Sequence, residues 1–323
     1  MQKRLRFFII AAVALAVMAA AYLSETRRAV ETGFALDTVI SVTAKGNKAK
    51  TATASAVSRV YEIERRLTSY SQTSEIVTGV LGEDASAVIR RGIFFGDKSD
   101  GLFDITVKPL TDLWGISTPS PRVPSREEIE RVLPLIDYKK VEIKENRLIL
   151  PKDMAIDLGG IGKGYAADEA ARVLRQYGIK DGIVDLGGNI VVIGEKRIGI
   201  QNPKSNRTGD YMGIIKARDC AIVTSGNYER NFVQDGRTYH HIFNPKTGMP
   251  SDSGLLSATV VCENSQDADA IATIIFIMGA EDGLSFARSM GVQALTVSED
   301  GEVRKTEGIE IEITDSSFFF RED

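Results

Sequence analysis

The chain has 323 residues, enough for one large domain or two lobes around a real core. Its apolar fraction of 43% is ordinary for a globular protein, and a formal net charge of −4 leaves no electrostatic footprint for nucleic acid. With only two histidines, His240 and His241, any histidine chemistry falls to one of them.

The N-terminus reads as an address. Lys3, Arg4 and Arg6 precede an apolar run from Phe7 to Leu23, and Arg27 and Arg28 follow. A basic start before such a run is an export signal or a short signal anchor. The run is at the lower edge of the roughly 17 to 25 residues that span a bilayer. Residues 1–28 are therefore expected to be a signal peptide or anchor, with residues 29–323 as the body outside the cytoplasm, on the periplasmic side. Removal after Ala19-Ala20-Ala21 would secrete the body; retention would tether it to the inner membrane.

Residues 34–44 read as a strand, and 48–67 as a helix with apolar positions at Ala54, Val57, Val60, Tyr61 and Ile63. A polar loop with Tyr70 follows, and 75–94 read as helical or irregular. Lys108-Pro109 opens a short helix carrying Trp114, the only tryptophan. Prolines and serines mark 116–126 as a surface loop. Ser125 with Glu128 is a capping box for a helix to about Leu135. Residues 141–143 and 147–150 suggest a hairpin.

Four glycines, Gly159, Gly160, Gly162 and Gly164, fall within six positions before a helix at 164–177. Packed glycines let backbone approach a ligand closely, and a helix start offers N–H groups to an anion. The Walker A pattern fails, with Asp157 and Gly164 at the required positions, and the dinucleotide fingerprint fails at Tyr165. A phosphate site and a plain Gly-rich turn both stand.

Strands are expected at 183–186, 190–193, 197–201, 212–217 and 220–224, with Ser225-Gly226-Asn227 as a turn. Leu255 to Cys262 is strand-like, 267–278 and 281–290 are helical, and strands at 293–297 and 309–313 close the chain. Cys220 and Cys262 lie in apolar, strand-like surroundings without metal-binding spacing, so buried free thiols are expected. Strands outnumber helices and often run consecutively, which gives an α+β class.

Several stretches together resemble one family. They are Gly101-Leu-Phe-Asp-Ile-Thr-Val-Lys-Pro-Leu with Leu-Trp-Gly, Asp157-Leu-Gly-Gly-Ile-Gly-Lys-Gly-Tyr-Ala, Asp185-Leu-Gly-Gly-Asn, Thr224-Ser-Gly-Asn-Tyr, His241-Ile-Phe-Asn-Pro-Lys-Thr-Gly and Ala268-Asp-Ala-Ile-Ala-Thr. In this order and spacing, from about 33 to 315, the chain resembles the ApbE family of FAD:protein FMN transferases. The resemblance implies a bilobed fold of largely antiparallel or mixed sheets flanked by helices, with a ligand cleft between the lobes. It implies FAD as donor, Mg²⁺ as cofactor, and a threonine of an exported acceptor, typically a subunit of a membrane redox pump, as the site modified.

It also assigns roles. The metal ligands are Asp269, Thr273 and the carbonyl of Gly162, where many members have alanine. Asp269 and Thr273 are four apart on an expected helix, so they share a face, and their oxygens suit a hard cation. His241 is the implied base, a task for a group that titrates near neutrality; spacing alone does not choose between His240 and His241. Lys163 is a candidate to assist at the pyrophosphate. The implied flavin contacts are Leu36, Tyr70, Leu102, Phe103, Asp104, Gly160, Tyr165, Asn244 and Ala272. Asn244 departs from the family's usual aspartate.

Three other functions compete with protein flavinylation. One is hydrolysis of FAD to FMN and AMP at the same site. Another is flavin carriage without turnover, and the last is an anchored scaffold with a degenerate site. Intact Asp269, Thr273 and His241 speak against the last two.

Overall fold

A computed structural model describes residues 27–321 except 206 and 208. The basic and apolar N-terminal segment lies outside the described residues, apart from Arg27 and Arg28. Among the described residues no helix is long and apolar enough to cross a membrane.

The scaffold is a nine-stranded sheet whose strands lie side by side in chain order. They are β1 (Arg28–Ala35), β2 (Thr38–Lys45), β3 (Asp181–Leu186), β4 (Asn189–Ile193), β5 (Ala221–Gly226), β6 (Leu255–Cys262), β7 (Gln293–Ser298), β8 (Glu302–Lys305) and β9 (Phe319–Phe320). Every neighbouring pair is antiparallel except β8 with β9. Antiparallel neighbours need only short turns. The long connections between strands are therefore free to carry other structure.

Those connections hold helices α1 (Ala49–Leu67), α2 (Glu75–Thr78), α3 (Glu83–Lys98), α4 (Lys108–Trp114), α5 (Arg126–Val132), α6 (Gly162–Gln176), α7 (Ser265–Met278) and α8 (Ala280–Ser289). α1 packs on α6, α6 on α7, and α7 on α8, which makes one helical layer over the sheet. Its inner face is dense with alanine, including Ala52, Ala56, Ala166, Ala170, Ala270 and Ala272, all buried. Small side chains let helices approach one another closely. The other sheet face packs on a three-stranded sheet of Glu195–Gln201, Tyr211–Arg218 and Ile311–Ile313 through Val192, Ile222, Met212 and Val297.

A second lobe is built around Trp114, with Leu110, Ile129 and Phe243. Trp114 donates from Nε1 to the Gly248 carbonyl at 3.0 Å and packs against Tyr239 and Phe243. The α+β class and the mixed, largely antiparallel sheets agree with the sequence.

Several boundaries differ from expectation. Residues 34–44 form not one strand but the hairpin of β1 and β2, turning at Leu36-Asp37. Helix 75–94 is split by Gly79, which caps α2 in the left-handed region. Ser225 and Gly226 extend β5 rather than turning. The 309–313 strand is only Ile311–Ile313, and β8 and β9 come without a strong sequence signal. The capping box on α5 is present as expected. Both cysteines are free as expected but half-buried rather than buried, Cys262 against the helical-side core and Cys220 against the apolar cluster on the other sheet face.

Candidate active site

One cleft receives walls from both lobes: the β1–β2 turn, the end of α1, residues 102–118 and 157–163, the end of β5, the segment 241–245 and α7. Its floor begins at Asp157. That carboxylate accepts the Gly159 N–H at 2.7 Å and the Thr111 hydroxyl at 3.3 Å, which folds the glycine loop back on itself. The loop ends in α6. The start of α6 is not an open anion site: Gly162 N–H donates to Leu158 O at 2.7 Å, and Gly164 N–H donates to Asp269 Oδ2 at 2.9 Å. The glycines serve close packing. A Cβ on Gly164 would lie 2.3 Å from Ser265 O, and one on Gly160 would lie 3.0 Å from the Phe103 ring.

Asp269 is 3% exposed, and Gly164 is the partner of one of its oxygens. Thr273, one turn on, donates to Asp269 O at 3.2 Å and lies 3.3 Å from Ser225 Oγ. Asp269, Thr273 and Gly162 line the same cleft. One carboxylate, one hydroxyl and one carbonyl suit Mg²⁺, which keeps several waters and takes few protein oxygens. Glu229 lines the cleft with its side chain open to the cavity. Burial raises its pKa, Lys163 and Arg230 lower it, and the Asp269 charge raises it further. Two carboxylates that repel across a cavity are a setting that a cation relieves.

The histidines separate by their bonds. His240 is buried and edge-on to Phe276, its Nδ1 accepts from Ile242 N–H at 3.2 Å, and its Nε2 is 2.9 Å from Ser251 O. Both ring nitrogens are used, so His240 is structural. His241 lines the cleft, and its Nδ1 lies 3.3 Å from Arg230 O. A carbonyl only accepts, so Nδ1 carries the proton and Nε2 is left as an acceptor. Burial, then the charges of Arg230 and Lys163, push the His241 pKa down to about 3. This departs from the near-neutral titration expected of the ring from sequence: the free protein holds it neutral, with Nε2 open, at ordinary pH.

Of the flavin contacts read from sequence, Leu36, Tyr70, Leu102, Phe103, Asp104 and Gly160 line the cleft. Tyr70 presents a ring with Lys108 Nζ at 4.5 Å from its centroid. Asp104 is in the wall, but its oxygens are taken by Thr106 N–H and hydroxyl and by Tyr138 N–H, so it braces the wall. Tyr165, Asn244 and Ala272 are not brought to the cleft. The Tyr165 hydroxyl turns away to Asp84 at 2.6 Å. Ala272 is wholly buried in the helical layer. Asn244 Oδ1 accepts from Lys246 N–H at 3.0 Å and closes a turn, a task an aspartate oxygen does equally.

Sequence reasoning missed Glu64, Ser225, Glu229 and Arg230 in the lining. The nearest signal was the Thr224-Ser-Gly-Asn-Tyr stretch, which runs directly into Glu229-Arg230.

An α+β body whose cleft gathers Asp269, Thr273, two basic side chains and a free imidazole nitrogen has the makings of a protein that handles an anionic ligand. The ApbE family model matches residues 36–296, and the chain belongs to that family. A FAD:protein FMN transferase of Treponema pallidum is 31% identical over 264 residues, covering 74% of this chain and 73% of the relative. One from Klebsiella pneumoniae is 34% identical over 208 residues, covering 63% and 66%. The ApbE protein of Thermotoga maritima has a similar structure, with TM-score 0.81, 31% identity and 87% and 97% coverage. The flavin transferase ApbE of Vibrio cholerae gives TM-score 0.75, 26% identity and 90% and 98% coverage.

Proposed function

We infer that this protein transfers FMN from FAD to a threonine hydroxyl of an exported acceptor protein and releases AMP. The observation that carries the reading is the convergence of Asp269, Thr273, Lys163, Arg230 and His241 on one cleft in a chain of this family. Lys163 attracts and orients the pyrophosphate, and the positive charge of Arg230 adds to the field that draws an anion into the cleft. Leu36, Tyr70, Leu102 and Phe103 offer apolar and aromatic surface to the rings of FAD. His241 Nε2 takes the acceptor's hydroxyl proton as its oxygen bonds to the FMN phosphorus. The bond from that phosphorus to the bridging oxygen breaks, and AMP departs with that oxygen. Asp269, Thr273 and Gly162 would hold Mg²⁺, which when bound neutralises charge on the pyrophosphate.

The deciding experiment incubates residues 29–323 with FAD, Mg²⁺ and the acceptor domain of a membrane redox pump. Mass spectrometry is expected to find FMN on the acceptor threonine and to lose it when that threonine is alanine. Rapid release of FMN with no adduct would make the protein a FAD pyrophosphatase instead. For location, residues 1–40 fused to a reporter active only outside the cytoplasm are expected to give activity. A reporter confined to the cytoplasm would refute export.

A further inference from the structure

The turn between β1 and β2 sets a leucine at a position where such a turn favours glycine, asparagine or aspartate. Leu36 and Asp37 have φ of 54° and 59°, the left-handed region, where a leucine is strained. Strain of this kind persists only where surrounding contacts impose it, and it gathers at functional sites. Two distant residues supply those contacts. Glu64 at the end of α1 accepts the Leu36 N–H at 2.7 Å. Arg230 donates from Nη2 to Leu36 O at 3.4 Å, and its Nη1 is 3.6 Å from the Asp37 carboxylate. Through its own carbonyl, Arg230 also receives the His241 backbone N–H at 3.1 Å and the His241 ring at Nδ1. Leu36, Arg230 and His241 all face the cleft.

We propose that Arg230 is the positioning residue of this site, its carbonyl fixing His241 with Nε2 free and its guanidinium clamping the Leu36–Asp37 turn over the bound FAD. The proposal rests on the flavin-transfer reading and adds a residue and a device to it. Backbone and side-chain roles separate, because any substitution keeps the carbonyl and changes only the guanidinium. The charged groups around His241 are Arg230 itself, Lys163 on α6, Glu229 beside it and Asp269 on α7 across the cleft, with His240 adjoining. Removing one cation from this set favours protonation of His241.

Three readouts test the clamp with the full body of the protein. In Arg230→Gln, amide exchange at Leu36 and Asp37 in the ligand-free protein is expected to quicken by about tenfold, and KM for FAD to rise about three- to tenfold, the scale of one lost polar contact. The acid limb of the kcat–pH profile is expected to move to higher pH. Arg230→Lys restores the charge but not the two-point grip. Its acid limb should return to the wild-type position while exchange and KM stay altered. In an Asp37→Gly background, which relaxes the turn, Arg230→Gln should add little to exchange. Unchanged exchange, KM and acid limb in Arg230→Gln would overturn the proposal. So would an acid limb displaced equally by Lys and Gln, which would mark a merely structural role even if both variants unfold sooner. Exchange needs no turnover. Failure of the wild type to cleave FAD would sink the flavin-transfer reading while leaving the anchoring of the turn to be judged on its own.

Discussion

Alanine at Gly164 and at Gly162, two residues apart on α6, should have opposite effects. A Cβ on Gly164 would stand 2.3 Å from Ser265 O and 2.7 Å from Gln266 Cα, both backbone atoms of α7. Neither can swing aside, so α6 and α7 must part. Overpacking of this kind costs about 1–3 kcal/mol, and the rigid neighbours place it at the upper end. Better helix propensity returns up to about 1 kcal/mol. The net is a loss of about 2 kcal/mol, or a Tm lower by about 4–8 °C. The same separation pulls Gly164 N–H from Asp269 Oδ2, now 2.9 Å away. Loss of such a supporting bond weakens metal binding by about 10- to 100-fold. At Gly162 the nearest atom to a new Cβ is Leu158 Cβ at 3.8 Å, an ordinary contact. Gly162→Ala should therefore gain about 0.5–1 kcal/mol and leave the Mg²⁺ requirement unchanged. The assay pairs thermal unfolding with Mg²⁺ titration of FAD cleavage for both variants. Equal Tm and equal Mg²⁺ midpoints would refute the argument from close helix approach.

Asp269→Ala should abolish Mg²⁺-dependent FAD cleavage with the fold intact by circular dichroism; normal turnover at limiting Mg²⁺ would show that the ligand set is wrong. His241→Ala should slow transfer by about 10²-fold or more with FAD binding largely kept, whereas His240→Ala should act mainly on Tm; the reverse ranking in paired rate and melting measurements would exchange their roles. Asp168 holds the Ser265 and Gln266 N–H groups at the start of α7, and burial pushes its pKa up to about 6. A raised carboxyl adds stability that is full below its unfolded pKa near 4 and is lost as pH rises to about 6. Asp168→Asn should flatten that part of the stability–pH curve, measured by urea unfolding, and an unchanged slope would count against the assignment.

What the sequence revealed and what it hid divide along a physical line. Local signals were enough for α5, whose Ser125 and Glu128 cap each other, and for α7, whose apolar pattern runs to Gly279. That Asp269 and Thr273 share a face followed from helix geometry, though only the resemblance singled the pair out. The Leu36–Asp37 turn was invisible because leucine is no turn former and a lone aspartate beside it is a weak signal; Glu64 and Arg230, remote in sequence, hold it. Tyr165 sits in the same motif as Gly162, but a helix sends neighbouring side chains different ways, and Asp84 draws this one to the far side. Spacing alone left His240 and His241 equal and the resemblance pointed to His241; Ser251, Ile242 and Arg230 give the physical reason, by which ring nitrogens they occupy.

The sheet's order explains where chemistry was free to settle. Because the nine strands follow one another in space as in sequence, the sheet needs nothing from its connections beyond the turns. The β2–β3 connection supplies Tyr70, Phe103 and the glycine loop. The β5–β6 connection supplies Glu229, Arg230 and His241, and the β6–β7 connection supplies Asp269 and Thr273. The residues proposed for the metal and for the base thus arrive on separate insertions that meet only in the folded state. Two contacts fix their meeting: Gly164 on Asp269, and Trp114 Nε1 on Gly248 O, which ties the histidine segment to the lobe that carries the glycine loop's neighbours. A transfer reaction that needs its nucleophile near 3 Å from phosphorus tolerates little error, so these buried joints, rather than the strands, set how well the site works.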